Sequence, residues 1–386
     1  MPIHSLMPSQ PTHTRRRALI AGKMRVGKSA LLKALWGRPD LLPSAARDCT
    51  QTNTLVKPAV SGAPDRLIVR YLDPARACKY AVGSDRWHRI AEFIAGECGP
   101  FGPRLDEMPP AAALAAGLQA VNSLFEKSPR LTMLNDHLPD ACEAIADLLA
   151  KTQALASGAS QETEYPFIDR NEYLMGKRRP DGRVIGEGAL MAQEWVELQA
   201  IAAGWPDTAV EILDTPWIPM IHDSRRVDLI SRAAESCCMI INVILPGALV
   251  IEDWLLAYLE KNPRTAERII IVINQADTID ETRLFGSDGF VSAFDDARRL
   301  MSRTGMNPDN IAICSPWLAN LKRLPPLESA QTRIARIEAA LSTIATKATP
   351  ARMPANLAQP LQAACVPNAC GLVYLKRLLR SVSPSL

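Results

Sequence analysis

Apolar residues follow two rhythms along the chain. In the second half, short apolar runs at 210–213, 239–245, 268–273 and 310–314 alternate with stretches at 223–235, 250–261 and 290–302 whose apolar positions recur every three or four residues. The runs predict buried strands and the recurring positions predict amphipathic helices. Strands alternating with helices predict an α/β fold with a mostly parallel sheet flanked by helices on both faces. The chain opens in the same order, with an apolar run at 18–21, a glycine-led loop and a helical pattern at 29–36. From about 73 to 193 the rhythm changes: Ala- and Leu-rich stretches at 86–98, 111–127 and 134–156 predict helices, followed by a polar stretch at 157–187. We read residues 76–193 as a helical insertion dividing one α/β domain into segments 1–75 and 194–386.

The loop after the first strand reads Gly22-Lys23-Met24-Arg25-Val26-Gly27-Lys28-Ser29, followed by Ala30. This is a complete G-x-x-x-x-G-K-S between a strand and a helix, the pattern of a P-loop NTPase. Glycines at both ends let the backbone curl so that amide N–H groups point at phosphate oxygens. Lys28 then reaches the β- and γ-phosphates, Ser29 offers a hydroxyl to Mg²⁺, and the helix adds its positive N-terminal dipole.

Three downstream segments refine this reading. Asp214 ends an apolar run in Leu213-Asp214-Thr215-Pro216, where a carboxylate can hold the water shell of a metal. Asn274-Gln275-Ala276-Asp277 ends another, and Asp277 can accept hydrogen bonds from guanine N1–H and its exocyclic amine. Ser315 follows the last strand, where a loop can contact the guanine carbonyl.

In order and in residues these segments resemble the GTPase family, and more narrowly its bacterial dynamin-like branch. Cys49-Thr50-Gln51-Thr52-Asn53-Thr54 is similar to that branch's first switch, which implies that Thr50 is a second Mg²⁺ contact. The stretch 368–379 is similar to the helix that closes such domains. The resemblance covers about 15–75, 194–320 and 366–380. It implies GTP and Mg²⁺ as ligands, hydrolysis to GDP and phosphate by in-line attack of water, and a nucleotide-dependent homodimer paired across the nucleotide face. Guanylate-binding proteins and atlastins carry a similar loop, G-x-x-R-x-G-K-S, which implies that Arg25 reaches the phosphates alongside Lys28 in catalysis.

Two positions depart from the family pattern. Trp217 stands where the third motif ends in a Gly whose N–H meets the γ-phosphate, and Gln275 stands where a Lys packs its stem on the base. Trp217 therefore leaves open a nucleotide-binding scaffold protein with little or no hydrolysis, and an ATP-using P-loop enzyme is the third reading.

Charge and composition narrow the remaining classes. Lys plus Arg number 44 against 41 Asp plus Glu, so no global positive field argues for nucleic acid as a partner. No apolar run approaches the roughly 18 residues of a membrane span. A membrane surface as partner is supported only by the basic residues 15–17 and the amphipathic pattern at 371–380, which also fit solvated and packed roles. The basic residues 15–17 are not followed by a secretory apolar segment, so a cytoplasmic location is expected. Nine Cys without a C-x-x-C pair read as reduced core thiols, and five scattered His argue against histidine catalysis.

Overall fold

A computed structural model of the chain describes residues 16–43, 52–59, 62–99, 102–131, 135, 137–175, 177–178, 184–185, 190–202, 210–215, 224–247, 251–278, 284, 289–325, 328–347, 355–365 and 370–382. Its strands are β1 (Arg16–Ala21), β2 (Asn53–Pro58), β3 (Arg66–Tyr71), β4 (Glu162–Tyr165), β5 (Lys177–Arg178), β6 (Val184–Ile185), β7 (Gln193–Ala200), β8 (Val210–Asp214), β9 (Met239–Ile244), β10 (Ile269–Ile273) and β11 (Ile311–Ile313). Nine of them form one sheet in the order β11-β10-β9-β1-β8-β2-β7-β3-β4, and β5 pairs with β6.

The sheet is mixed. The expected parallel arrangement holds from β11 to β8, where every pairing is parallel. Beyond it, β2 runs antiparallel to β8 and parallel to β7, and β3 is antiparallel to both β7 and β4. The two parts differ in chemistry. Strands β8 to β10 are buried at every position and, apart from Glu211, Asp214 and Asn242, read as apolar runs, as strands covered on both faces do.

The wing from β2 to β4 alternates instead. Leu67, Val69, Val196 and Leu198 face the core, while the other face carries ion pairs of Lys57 with Glu197 (2.6 Å), Arg66 with Glu164 (2.6 Å) and Arg70 with Glu162 (3.1 Å). The Arg70 guanidinium also lies 4.6 Å from the centroid of the Trp195 ring. This wing was not among the strands expected from the sequence, because its period-two pattern is filled with charges rather than bounded by turns.

The helices are α1 (Lys28–Trp36), α2 (Pro74–Val82), α3 (Asp85–Cys98), α4 (Pro110–Lys127), α5 (Leu138–Ala156), α6 (Arg170–Met175), α7 (Ser224–Glu235), α8 (Asp253–Lys261), α9 (Phe290–Arg303), α10 (Pro316–Leu321), α11 (Glu328–Lys347), α12 (Ala355–Cys365) and α13 (Leu372–Val382). Helices α2 and α3 start on side-chain caps, Asp73 accepting from the Arg76 N–H and Ser84 from the Trp87 N–H. Helices α2 to α5 pack on one another, and Lys151 of α5 sets its ammonium 3.6 Å from the ring centroid of Tyr71, which belongs to the apolar face of β3. The segment read as an insertion thus contains this helical layer and also contributes β4 to the main sheet.

At the other end of the chain, α13 buries Leu372, Leu375 and Leu379 and leaves Val373, Arg377 and Arg380 exposed. No described helix is long and apolar enough to cross a membrane.

Candidate nucleotide site

Because β1, β8, β9, β10 and β11 are parallel, the residues that follow them emerge at one end of the sheet. Gly22, Thr215, Leu245 and Asn274 are those residues after the first four, and Cys314 follows β11 with Ser315 next to it.

The loop after β1 curls through unusual backbone angles, with φ of 139° at Gly22, 62° at Arg25 and 94° at Gly27. A Cβ at Gly22 would lie 2.4 Å from the Val243 carbonyl oxygen of β9, so only glycine fits there. Lys28, 9% exposed, folds back over the loop and donates from Nζ to the carbonyls of Gly22 (2.6 Å) and Lys23 (2.9 Å). The ammonium is thereby held at the mouth of the loop, where the N-terminus of α1 adds positive potential. Lys23 and Arg25 are exposed, while Met24, Ser29 and Ala30 are half-buried.

Ser29 Oγ donates to Asp214 Oδ2 at 2.7 Å, and Asp214 is fully buried. A hydroxyl that gives its proton to a carboxylate turns its lone pairs outward, which suits a hard cation such as Mg²⁺. Thr54 of β2 pairs in register with Asp214. Two residues before it, Thr52 is 2% exposed and its hydroxyl finds no hydrogen-bond partner among the described residues. Among the described residues there is no cluster of three or more His, Cys, Asp or Glu side chains able to hold a metal. A cation here would rest on Ser29, Asp214 and oxygens supplied from outside the protein. Thr50, Trp217 and the rest of the first-switch and third-motif segments lie outside the described residues.

The second half of the site is joined to the first. Asn274 Nδ2 donates to the Val26 carbonyl at 2.6 Å, while its Oδ1 accepts from the Gln275 N–H at 2.6 Å. Gly27 makes room for this contact, since a Cβ there would lie 2.2 Å from Asn274 Nδ2. Gln275 takes a left-handed conformation, φ 65°, and the following Ala276 N–H donates to the Cys314 carbonyl at 3.1 Å. Ser315 Oγ donates to Asp277 Oδ1 at 2.5 Å and accepts from the Leu318 N–H, capping α10. One hydroxyl therefore both orients the carboxylate and starts the helix. The neighbouring Cys314 thiol is pushed well above its usual pKa by burial, which leaves it a neutral packing group.

The structure brings together every described residue expected at the site: the phosphate loop, Asp214, Asn274, Gln275, Asp277 and Ser315. It also reveals supports that no motif signalled. Asn320 of α10 donates to the Ala30 carbonyl at 2.9 Å, and Arg323 donates to the Ala34 carbonyl at 2.7 Å, tying the helix after β11 to the helix after β1. The Ser315 N–H donates to the Cys370 carbonyl at 3.0 Å, and a Cβ at Gly371 would lie 1.9 Å from the Ile313 carbonyl oxygen. The chain just before α13 thus presses directly on β11 and Ser315.

Neither a protein-family model nor a curated protein matches the sequence. Among solved structures, the chain is similar to two from work on an oligomerised bacterial dynamin pair, described as a mechanism for long-range sensing and tethering of membranes. Identity is 12% to each, with TM-scores of 0.41 and 0.40. The matches cover 86% of this chain but only 42% and 41% of theirs, so the chain spans less than half the length of those proteins.

Proposed function

We propose that this chain is a P-loop guanine-nucleotide-binding protein, binding GTP with Mg²⁺ and hydrolysing it to GDP and phosphate. The observation that supports this best is the bond from Asn274 to Val26, which fixes a carboxylate suited to guanine, Asp277, at a set distance from a loop suited to phosphate.

In this reading Gly22 to Ser29 cradle the phosphates with backbone N–H groups and Lys28 adds charge to them. Asp277, held by Ser315, accepts from the two guanine donors, and Gln275 lies beside the base. Ser29 and Asp214, with Thr50 by resemblance, would hold Mg²⁺, which when bound neutralises charge on the β- and γ-phosphates. Exposed on the loop, Arg25 would join Lys28 in stabilising the transferring phosphoryl group, and two copies facing across this end of the sheet would enclose it.

Titration with fluorescent GTP and ATP analogues tests the reading. We expect a preference for guanine that Asp277→Asn abolishes and that Lys28→Ala removes together with all binding; equal affinity for both bases would refute it. Trp217 favours one second reading, a binding protein that turns nucleotide over slowly or not at all. Phosphate release near background at all protein concentrations, with GTP still bound, would select it.

A further inference from the structure

We propose that the Asp228 carboxylate is a joint through which the nucleotide site acts on the helical layer α2 to α5. The proposal rests on the nucleotide reading above and adds an output to it.

Helix α7, which carries Asp228, is the first described helix after β8, the strand ending at Asp214. Its inner side is apolar and fixed, with Leu229, Ile230 and Ala234 buried. Its other attachment is polar. Three donors converge on Asp228: the Tyr80 hydroxyl and Arg76 Nη2 (3.4 Å), both from α2, and Arg232 Nε (3.0 Å) from α7 itself. Arg76 lies over the Tyr80 ring at 5.7 Å and also reaches Glu194 of β7 at 3.3 Å. Glu194 in turn holds Arg70 of β3 (3.1 Å), which holds Glu162 of β4 (3.1 Å). A continuous polar chain therefore runs from α7 through α2 and across three strands of the mixed wing.

A joint of this kind responds to position. Apolar contacts tolerate sliding, whereas a carboxylate shared among three donors keeps them only within a few tenths of an ångström of their lengths. Partly exposed pairs of this sort contribute little each, so modest work at α7 suffices to break or remake them. A ligand that engages Ser29 and Asp214 differently in its triphosphate and diphosphate forms has the differential affinity needed to shift such a two-state contact.

Hydrogen exchange tests the joint on the full chain, comparing ligand-free protein with protein saturated by GDP or by a non-hydrolysable GTP analogue plus Mg²⁺. Amides of α2 should differ in protection about tenfold between the GTP-analogue and GDP states, on the scale of local opening. Asp228→Asn and, separately, Tyr80→Phe should erase that difference while nucleotide binding is retained, the ratio of GTP-analogue to GDP affinity changing by no more than about the same tenfold. A contact that is merely structural would lower α2 protection equally in all states, and that result would overturn the proposal. So would an unchanged state difference in both variants, or nucleotide binding to the native chain with no change at α2. Failure of the native chain to bind nucleotide is a distinct outcome, which would overturn the site reading and the joint with it.

Discussion

Asn274 and Val26 are joined by a 2.6 Å hydrogen bond across 248 positions of sequence, and through it the loop after β10 and the loop after β1 become one structure. The Asn274 amide is 7% exposed and uses both ends, so its loss is felt at both loops. Asn274→Ala is expected to cost about 1–3 kcal/mol of folding stability, the range for leaving buried partners unsatisfied. Asn274→Asp should cost at least as much, because it turns a carboxylate oxygen toward the Val26 carbonyl. Urea unfolding of the ligand-free variants is the check, and an Asp variant as stable as the native chain would contradict the bonding described.

Gly371 and Gly62 offer a controlled comparison, since both have left-handed φ, 77° and 82°. A Cβ on Gly62 meets nothing within 4 Å, whereas one on Gly371 meets the Ile313 carbonyl oxygen at 1.9 Å. Gly62→Ala should therefore show only the backbone cost, roughly 1 kcal/mol. Gly371→Ala should cost several times as much, since a strand carbonyl cannot swing aside as a side chain can. Thermal unfolding of the two variants decides; similar losses would mean that the chain before α13 is not seated on β11.

Acid should loosen the Asp228 joint in a defined direction. Burial works against the charge on Asp228, but the Tyr80 hydroxyl, Arg232 and Arg76 outweigh it and hold the carboxyl below its usual range. A carboxyl depressed in the folded state contributes in full above its unfolded value, about 4 for Asp, and loses that contribution as pH falls from there through the folded value. The native chain should thus lose more stability than Asp228→Asn as pH falls below about 4. Parallel melting profiles over that interval would disprove the ion pairing.

Thiol reactivity should follow burial. The Cys237 thiol is pushed up to about 12 and the Cys142 thiol to about 11, both by burial first, while Cys314 is wholly enclosed. Alkylation of the native protein at pH 8 followed by peptide mapping should leave Cys237 and Cys314 unmodified at times when Cys98, which is half-buried, has reacted. Rapid labelling of Cys314 in folded protein would show that the loop after β11 opens freely.

The phosphate loop and the strands from β8 to β11 were legible in the sequence because each obeys one rule: a glycine-framed turn, or an apolar run buried on both faces. Asn274 and Ser315 could be placed because each directly follows such a run, and Asp277 lies three residues beyond Asn274. The wing was not legible. In Gln193–Ala200 the positions on one face are Trp195, Glu197 and Gln199, whose ion pairs and stacking form only once β2 and β3 lie alongside. Asn320 and Arg323 were hidden for a related reason, since they bond to helix carbonyls of α1 and backbone acceptors leave no trace in a sequence. Thr50 and Trp217 lie outside the described residues, so their expected roles rest on resemblance alone.

The seat of Cys370 and Gly371 against Ile313 and Ser315 also sets an order of events during synthesis. The loop after β1 is made well before residue 370, but Ser315 gains its Cys370 contact only after residue 371 has left the ribosome. Until then β11 lacks the backbone that covers its end, and Asp277 has a capping serine whose own N–H is unsupplied. The helical layer and the mixed wing are therefore made before the contact at Ser315 can form, and that contact reports that α13 has docked.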